Sequence, residues 1–104
     1  MNESTEVIKH TLLRVTPGQE EELEAAFTRG HDADRQATGY RWARLLRQVE
    51  NGSEYLHLVA WATLEPHTAD FRGSALFEEW RSAVRKYFAA PPVLVHYSVR
   101  GGHR

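Results

Sequence analysis

The sequence contains no cysteine. Disulfide bonds, thiolate nucleophiles and cysteine metal sites are therefore excluded, and this composition is compatible with a reducing cytoplasm. No apolar run approaches the roughly 20 residues that a membrane-spanning helix needs. The polar start MNESTE is not typical of a signal peptide. We therefore expect a cytoplasmic protein that has no membrane partner.

An excess of charge of one sign is also missing. The 104-residue chain carries 13 basic and 14 acidic residues, a formal net charge of −1. The broad basic surface of a nucleic-acid-binding protein is therefore not indicated. Hydrophobic residues make up 41% and charged residues 26%, as in ordinary globular proteins. We expect one domain over residues 1–104, with its core at about residues 6–100.

The first 39 residues predict a strand followed by a helix. EVIKHTLLRV (6–15) is rich in β-branched residues and leucine, which favours a strand with apolar side chains on both faces. Thr16 is the predicted N-cap of the helix, with Pro17 at its first position. Apolar residues then recur at helical spacing as far as ATG (37–39), where Gly39 is the predicted stop.

A β-hairpin is predicted next. YRWARLLRQ (40–48) alternates so that Tyr40 and Trp42 share one face of a strand. EYLHLVAWA (54–62) is the returning strand, after an Asn-Gly turn within ENGS (50–53).

The remaining pattern predicts a short helix or turn over 63–71, a helix over 74–88 and a strand over 93–99. The element order β-α-β-β-α-β is that of the ferredoxin-like α+β fold. Two helices are then expected to cover one face of a four-stranded antiparallel sheet. The other face would present apolar side chains from two strands, and a second copy of the chain is the simplest cover, so we expect a homodimer. The side chains that predict this face are Ile8, His10, Leu12, Leu56 and Leu58.

The helix-facing side of the sheet is a candidate ligand site. Residues i, i+2 and i+4 of a strand share a face, so Tyr55, His57 and Trp61 are expected to point toward the helices. Thr11 would lie on the same side of the first strand. Apolar and aromatic groups with a few polar ones are the usual lining of a small-molecule pocket.

The segment GYRWARLLRQVENGSEYLHLVAWATLEPHTADFRGSALFEEWR (39–81), in this element order, resembles the antibiotic biosynthesis monooxygenase family over about residues 6–100. The most specific marks are Gly-Tyr opening the second strand, Trp61 ending the third, and SALFEEWR starting the last helix. The resemblance implies a dimeric α+β barrel that binds flat aromatic ligands between sheet and helices. Some members are oxygenases without metal or flavin, and others degrade heme.

The heme-degrading branch is matched poorly. That branch uses an Asn on the first strand, a Trp before the last helix and an axial His within it. The corresponding residues here are Thr11, Phe71 and Arg81, or Trp80 if the register shifts by one. Because a guanidinium cannot coordinate iron, heme ranks as a low alternative among cofactors.

The cofactor-independent anthrone oxygenases are matched better. Their pattern places Asn, Trp, Tyr and Arg at spacings that correspond to His57, Trp61, His67 and Arg81. Trp and Arg agree in kind, and both other positions are His. The closing VRGG (99–102) also resembles this branch.

This resemblance implies a monooxygenase that oxidises a phenolic, anthrone or quinone-like molecule with dioxygen and no cofactor. Arg81 would stabilise the oxyanion, and His57 or His67 would carry the proton. The side chains expected to bind the substrate are Trp61, Thr11, Tyr55, Phe71 and Trp80.

Plainer interpretations stay open. Trp61 and His57 can be core residues, His67 a solvent-exposed histidine, and Arg81 a surface residue paired with a glutamate. The protein can equally be a non-catalytic dimer that binds a small aromatic ligand. No metal site is predicted, because the closest spacing, His31 and Asp34 on one helical turn, provides two ligands only.

Overall fold

The computed structural model describes residues 6–63 and 75–102, except the side chains of residues 32–34, 75–77 and 79–80. The strands are β1 (Val7–Arg14), β2 (Tyr40–Arg47), β3 (Glu54–Trp61) and β4 (Val93–Ser98), and the helices are α1 (Glu20–Asp34) and α2 (Ala75–Arg85). The strands form one antiparallel sheet in the order β2-β3-β1-β4. The predicted ferredoxin-like order is therefore confirmed. The short helix predicted after β3 lies almost wholly outside the described residues.

The start of α1 differs from the prediction. The backbone N–H of Gln19 donates to the Thr16 carbonyl at 2.9 Å, and Gly18 has a φ of +94°. Pro17 and Gly18 thus occupy the central positions of a tight turn, where proline followed by a glycine with positive φ is favoured. Thr16 is consequently not the N-cap, and the helix begins at Glu20, after the turn.

The end of α1 also comes earlier than predicted. The helix ends at Asp34, before ATG (37–39). Gly39, whose φ is +84°, instead leads into β2, and its carbonyl accepts a hydrogen bond from the Ala62 N–H at 2.8 Å. Gly39 therefore precedes the start of β2 and does not terminate α1.

The predicted hairpin forms, but its loop is wider than a two-residue Asn-Gly turn. The Glu54 N–H donates to the Asn51 carbonyl at 3.1 Å, and the Gln48 N–H donates to the Glu54 carbonyl at 2.8 Å. Among the described residues outside glycine no φ is positive, and Gly52 is not among the positive-φ glycines. The type I′ turn, which needs positive φ at both central residues, is therefore excluded.

A β-bulge at Arg41 breaks the alternation of β2. Tyr40 pairs with Trp61, whereas Trp42 pairs with Ala60, so Arg41 is the extra residue. Tyr40 consequently lies on the helix-facing side, where its ring meets Trp61 edge-on at 6.1 Å. Trp42 lies on the opposite face, and the expectation that both aromatic residues share a face was wrong.

The core lies between the sheet and the helices in two clusters. The larger cluster combines residues of β1, α1 and β3 with residues at the end of α2: Leu13, Val15, Leu23, Ala26, Phe27, Tyr55, Val84 and Tyr87. The smaller one consists of Val59 and Trp61, with Ala37, Tyr40 and Ala43 packed against them. Burial of these side chains orients β1 and β3, and thereby sets which of their residues face the helices.

Candidate functional site

Register in the sheet places a row of polar side chains on the helix-facing side. Thr11 of β1 pairs with His57 of β3 and with Leu94 of β4. Two residues earlier, Lys9 pairs with Val59 and with His96. Alternation puts Lys9 and Thr11 on the same side as Leu13, which is part of the core. The centre of the sheet therefore presents a lysine and a threonine toward the helices.

A cavity of about 540 Å³ lies between these residues and α2. Its floor is the helix-facing side of β1 and Leu94 of β4, and its opposite wall is the last two turns of α2. The segment 88–92 closes one end, held to β1 by a hydrogen bond from the Ala89 N–H to the Arg14 carbonyl at 2.7 Å. The described lining residues are Lys9, Thr11, Leu13, Arg81, Val84, Arg85, Phe88, Ala89, Ala90, Pro91, Pro92 and Leu94.

Thr11 contributes a hydroxyl to this cavity. The residue is only 3% exposed, and among the described residues its Oγ1 has no hydrogen-bond partner. Leaving a buried hydroxyl without a partner costs about 1–3 kcal/mol. A polar group that lines a cavity at this cost is well placed to bind a polar atom of a ligand.

Arg81 lies at the mouth of the cavity. Its side chain is about half exposed, and its Nη1 lies 4.0 Å from Glu78 Oε2, one helical turn away. An exposed pair of this kind contributes about 0.2–1 kcal/mol at most, so it does not fix the guanidinium. Arg81 therefore has the freedom to donate hydrogen bonds to a bound ligand.

His57 lies on β3, next to β1, and is fully buried. It is not among the described residues that line the cavity. Its ring meets Phe27 edge-on at 4.7 Å and stacks on His31 at 5.7 Å, both from α1. Burial, reinforced by electrostatic interaction with Lys9 and His31, holds the pKa of His57 well below 6.5. The imidazole is consequently neutral at pH 7 and retains the basic form.

Tyr55 and Trp61 are also separate from the cavity. The Tyr55 hydroxyl donates to Glu24 Oε2 at 2.6 Å, and burial together with this contact raises the pKa of Tyr55. Trp61 is fully buried with Val59 in the smaller core cluster. Their positions favour packing roles, with β3 held against α1 and β2.

Of the residues predicted for the site, the structure thus brings Thr11 and Arg81 together at one cavity. The helix-facing side of β3 carries three others, Tyr55, His57 and Trp61. None of the three is among the described residues that line the cavity. His67, Phe71 and the side chain of Trp80 lie outside the described residues.

Sequence-based reasoning missed several residues that line this cavity, and Lys9 is the most deeply buried charged one. It is only 2% exposed and lines the cavity floor. The signal was available, because Lys9 stands two residues before Thr11 in the same strand. Because residues i and i+2 of a strand point to the same face, Lys9 is expected on the same face as Thr11.

Metal-binding groups do not converge in the part of the chain that the structure describes. Within residues 6–63 and 75–102, no three side chains of His, Asp or Glu come together. None of the described helices is long and apolar enough to cross a membrane.

Comparison with known proteins gives consistent matches. The family model for antibiotic biosynthesis monooxygenase matches residues 7–83. The uncharacterized protein YczJ of Bacillus subtilis (strain 168) is 34% identical over 86 residues, which are 83% of this chain and 90% of that protein. A Bordetella bronchiseptica crystal structure assigned to the antibiotic biosynthesis monooxygenases is 32% identical, with a TM-score of 0.88 over 92% of this chain and 98% of that one.

SnoaB, a cofactor-independent oxygenase from Streptomyces nogalater, has the same fold. Its crystal structure matches with a TM-score of 0.84 and 18% identity, over 94% of this chain and 96% of that one. At this identity the likeness extends to the fold alone.

Proposed function

Because the chain belongs to the antibiotic biosynthesis monooxygenase family, we propose that it oxidises a flat phenolic, anthrone or quinone-like molecule with dioxygen and without a cofactor. The observation that carries this proposal is the cavity between β1, β4 and α2. Its volume of about 540 Å³ falls within the usual range for small-molecule sites. Mostly apolar walls with a buried threonine hydroxyl and an arginine at the mouth suit an aromatic ring that carries oxygen substituents.

The first chemical task is to remove a proton from the substrate. A phenol-like acid has a pKa of about 10, so ionising it at pH 7 costs about 4 kcal/mol. One hydrogen bond from a charged donor recovers about 1.5–3 kcal/mol of that cost. Arg81 is the proposed donor to the developing oxyanion, and the Thr11 hydroxyl is a second donor at the cavity floor.

The reaction with dioxygen then balances without any further reagent. The carbanion transfers an electron to dioxygen, and the two radicals combine to form a carbon–oxygen bond. The peroxide anion takes back the proton removed in the first step. The hydroperoxide then loses water, which breaks its oxygen–oxygen bond and leaves a carbonyl. One oxygen atom enters the product and the other leaves as water, so a methylene is oxidised to a ketone.

His57 or His67 is the proposed proton carrier. His57 is neutral at pH 7 because burial lowers its pKa, so it is a weak base that would hold the substrate's proton only briefly before returning it. It stands directly across the β1–β3 ladder from Thr11, which lines the cavity. Proton transfer to His57 by this route requires that substrate binding bring the Thr11 hydroxyl into hydrogen-bond contact with the imidazole.

Oxygen consumption with an anthrone-type substrate tests this proposal. We expect Arg81→Ala to lower kcat/KM about tenfold to hundredfold, the equivalent of one lost charge-assisted hydrogen bond. Arg29→Ala is the matched control, because Arg29 is an exposed arginine on α1 that does not line the cavity. Full activity in Arg81→Ala would contradict the assigned role.

Binding without turnover is the second candidate. It is favoured by the described cavity wall, which contains neither an imidazole nor a carboxylate. In that case an aromatic ligand binds to the wild-type protein while no oxygen is consumed. The same wall argues against heme, because none of its described residues carries an imidazole, thiolate, thioether or phenolate that could bind iron.

We also propose that the protein is a cytoplasmic homodimer, formed through the sheet face away from the helices. Large apolar side chains on that face are exposed in the single chain: Leu46, Val93, Val95 and Tyr97. Ile8, Leu12, Leu56 and Leu58 of the central strands are only partly covered. A contiguous apolar patch of this kind is characteristic of an interface, and the absence of cysteine suits the cytoplasm.

A further inference from the structure

The two lysines of the chain occupy contrasting environments. Lys86 is exposed just after α2, where its Nζ lies 5.3 Å from the centre of the Tyr87 ring. Lys9 is only 2% exposed, on the central strand of the sheet, and lines the cavity floor. A lysine is rarely buried to this extent, because removing an ammonium group from water is costly. Lys9 thus forms part of the wall that a ligand in this cavity would contact.

Positive charge is concentrated around this cavity. Lys9 lies at its floor, and Arg81 and Arg85 extend from adjacent turns of α2 at its mouth. Among the residues that the structure describes, no Asp or Glu side chain lines it. The chain as a whole has a net charge of −1, whereas the charged side chains of the described lining are all basic.

We propose that the cavity selects an anionic aromatic ligand, a ring system that carries a carboxylate or an ionised phenol, and that Lys9 binds the anionic group. This inference rests on the proposed function, in that it takes the same cavity as the substrate site, and it adds the substrate's charge. Arg81 and Arg85 attract the anion to the mouth, and the Thr11 hydroxyl donates to it beside Lys9. Interaction between opposite charges is stronger in a buried, mostly apolar site than in water.

The position of His57 supports this arrangement. Burial, and after it the charge of Lys9, lowers the pKa of His57, which faces the helices from the neighbouring strand. An anion bound at Lys9 would be held next to Thr11, at the point where the proposed proton route begins.

Two probes of the same ring and different charge test the proposal. Calorimetric titration with 2-naphthoate and with the neutral 2-naphthalenemethanol gives their dissociation constants. We expect the wild-type protein to bind naphthoate at least tenfold more tightly, and Lys9→Met to abolish the preference while leaving naphthalenemethanol binding unchanged. Lys9→Arg, which keeps the charge, and Lys86→Met, which removes the exposed lysine, should both keep the preference.

A second measurement avoids the risk that Lys9→Met does not fold. In wild-type protein labelled with isotope in its lysine side chains, saturating naphthoate should shift the Lys9 resonance more than saturating naphthalenemethanol does, and neither probe should shift that of Lys86. Equal affinity for the two probes, or a preference that survives in folded Lys9→Met, would overturn the inference. An unshifted Lys9 resonance at saturating naphthoate would do the same.

Failure of the inference and failure of the proposed function are distinguishable. If no charge preference is found but an anthrone-type substrate consumes oxygen in an Arg81-dependent manner, the substrate charge is refuted and the oxygenase stands. If the Lys9-dependent preference holds and no oxygen is consumed, the anionic ligand site is confirmed and the oxygenase is refuted.

Discussion

Replacing His57 with glutamine should remove a defined part of the protein's sensitivity to acid. The imidazole is fully buried and lies against Phe27 and His31. Its pKa in the native protein is well below 6.5, first because of burial and then because of electrostatic interaction with Lys9 and His31. In the unfolded chain the imidazole is hydrated and regains an ordinary pKa of about 6.5.

The sign of the effect follows from which state binds the proton. Above about pH 6.5 the imidazole is neutral in both states and contributes no pH dependence. Below that pH the unfolded chain takes up a proton that the native protein does not, so the free energy of unfolding decreases as the pH falls. For a native imidazole that stays neutral down to pH 5, the decrease between pH 7.5 and pH 5 is about 2 kcal/mol.

Urea unfolding, monitored by tryptophan fluorescence at one fixed protein concentration, measures this difference. His57→Gln should lose about 2 kcal/mol less than the wild type between the two pH values. His10→Gln, which removes a half-buried histidine on the opposite face of the sheet, should retain the wild-type decrease. If His57→Gln and the wild type lost the same stability over this interval, a buried neutral His57 would be refuted.

Two further outcomes are expected. Tyr55→Phe keeps the buried ring but removes the hydrogen bond to Glu24, which should lower the free energy of unfolding by about 1 kcal/mol in urea titrations. Because the pKa of Tyr55 is raised in the native protein, this variant should also lose less stability than the wild type as the pH rises above 10, and an unchanged alkaline profile would contradict the assignment. Val95→Glu places a charge on the proposed dimer face and should give a monomer in sedimentation at micromolar concentration, whereas Ser82→Glu on exposed α2 should sediment like the wild type.

Strand periodicity and turn chemistry were sufficient to predict the element order and the faces of β1 and β3. Alternation placed Thr11 and Leu13 on one side and Leu12 on the other, and the register confirms it. The local exceptions depend on single residues. The bulge at Arg41 places Tyr40 on the face opposite to Trp42. The turn at Gly18, which has a positive φ, makes α1 begin at Glu20 instead of Pro17. Both result from packing and backbone geometry that hydrophobic periodicity does not encode.

The candidate site was predictable only in part, because periodicity gives the face of a strand but not the helix that covers it. His57 and Thr11 face the same side and are direct neighbours. His57 is covered by Phe27 and His31 of α1, whereas Thr11 opens onto the cavity beside α2. The sequence shows that both residues are on one face of the sheet. It does not show that α1 covers His57 while α2 lies over Thr11.

The central position of β1 sets the order in which the cavity can be completed during synthesis. Val7 at the start of β1 pairs with Trp61 on one side and with Ser98 on the other. A nascent chain that has emerged as far as β3 contains three of the four strands, and Leu94 and the segment that closes the cavity have yet to emerge. The cavity therefore cannot form before residues 88–92 and β4 have been synthesised, and a chain that stops short of β4 has a partial sheet in which one side of the cavity is open.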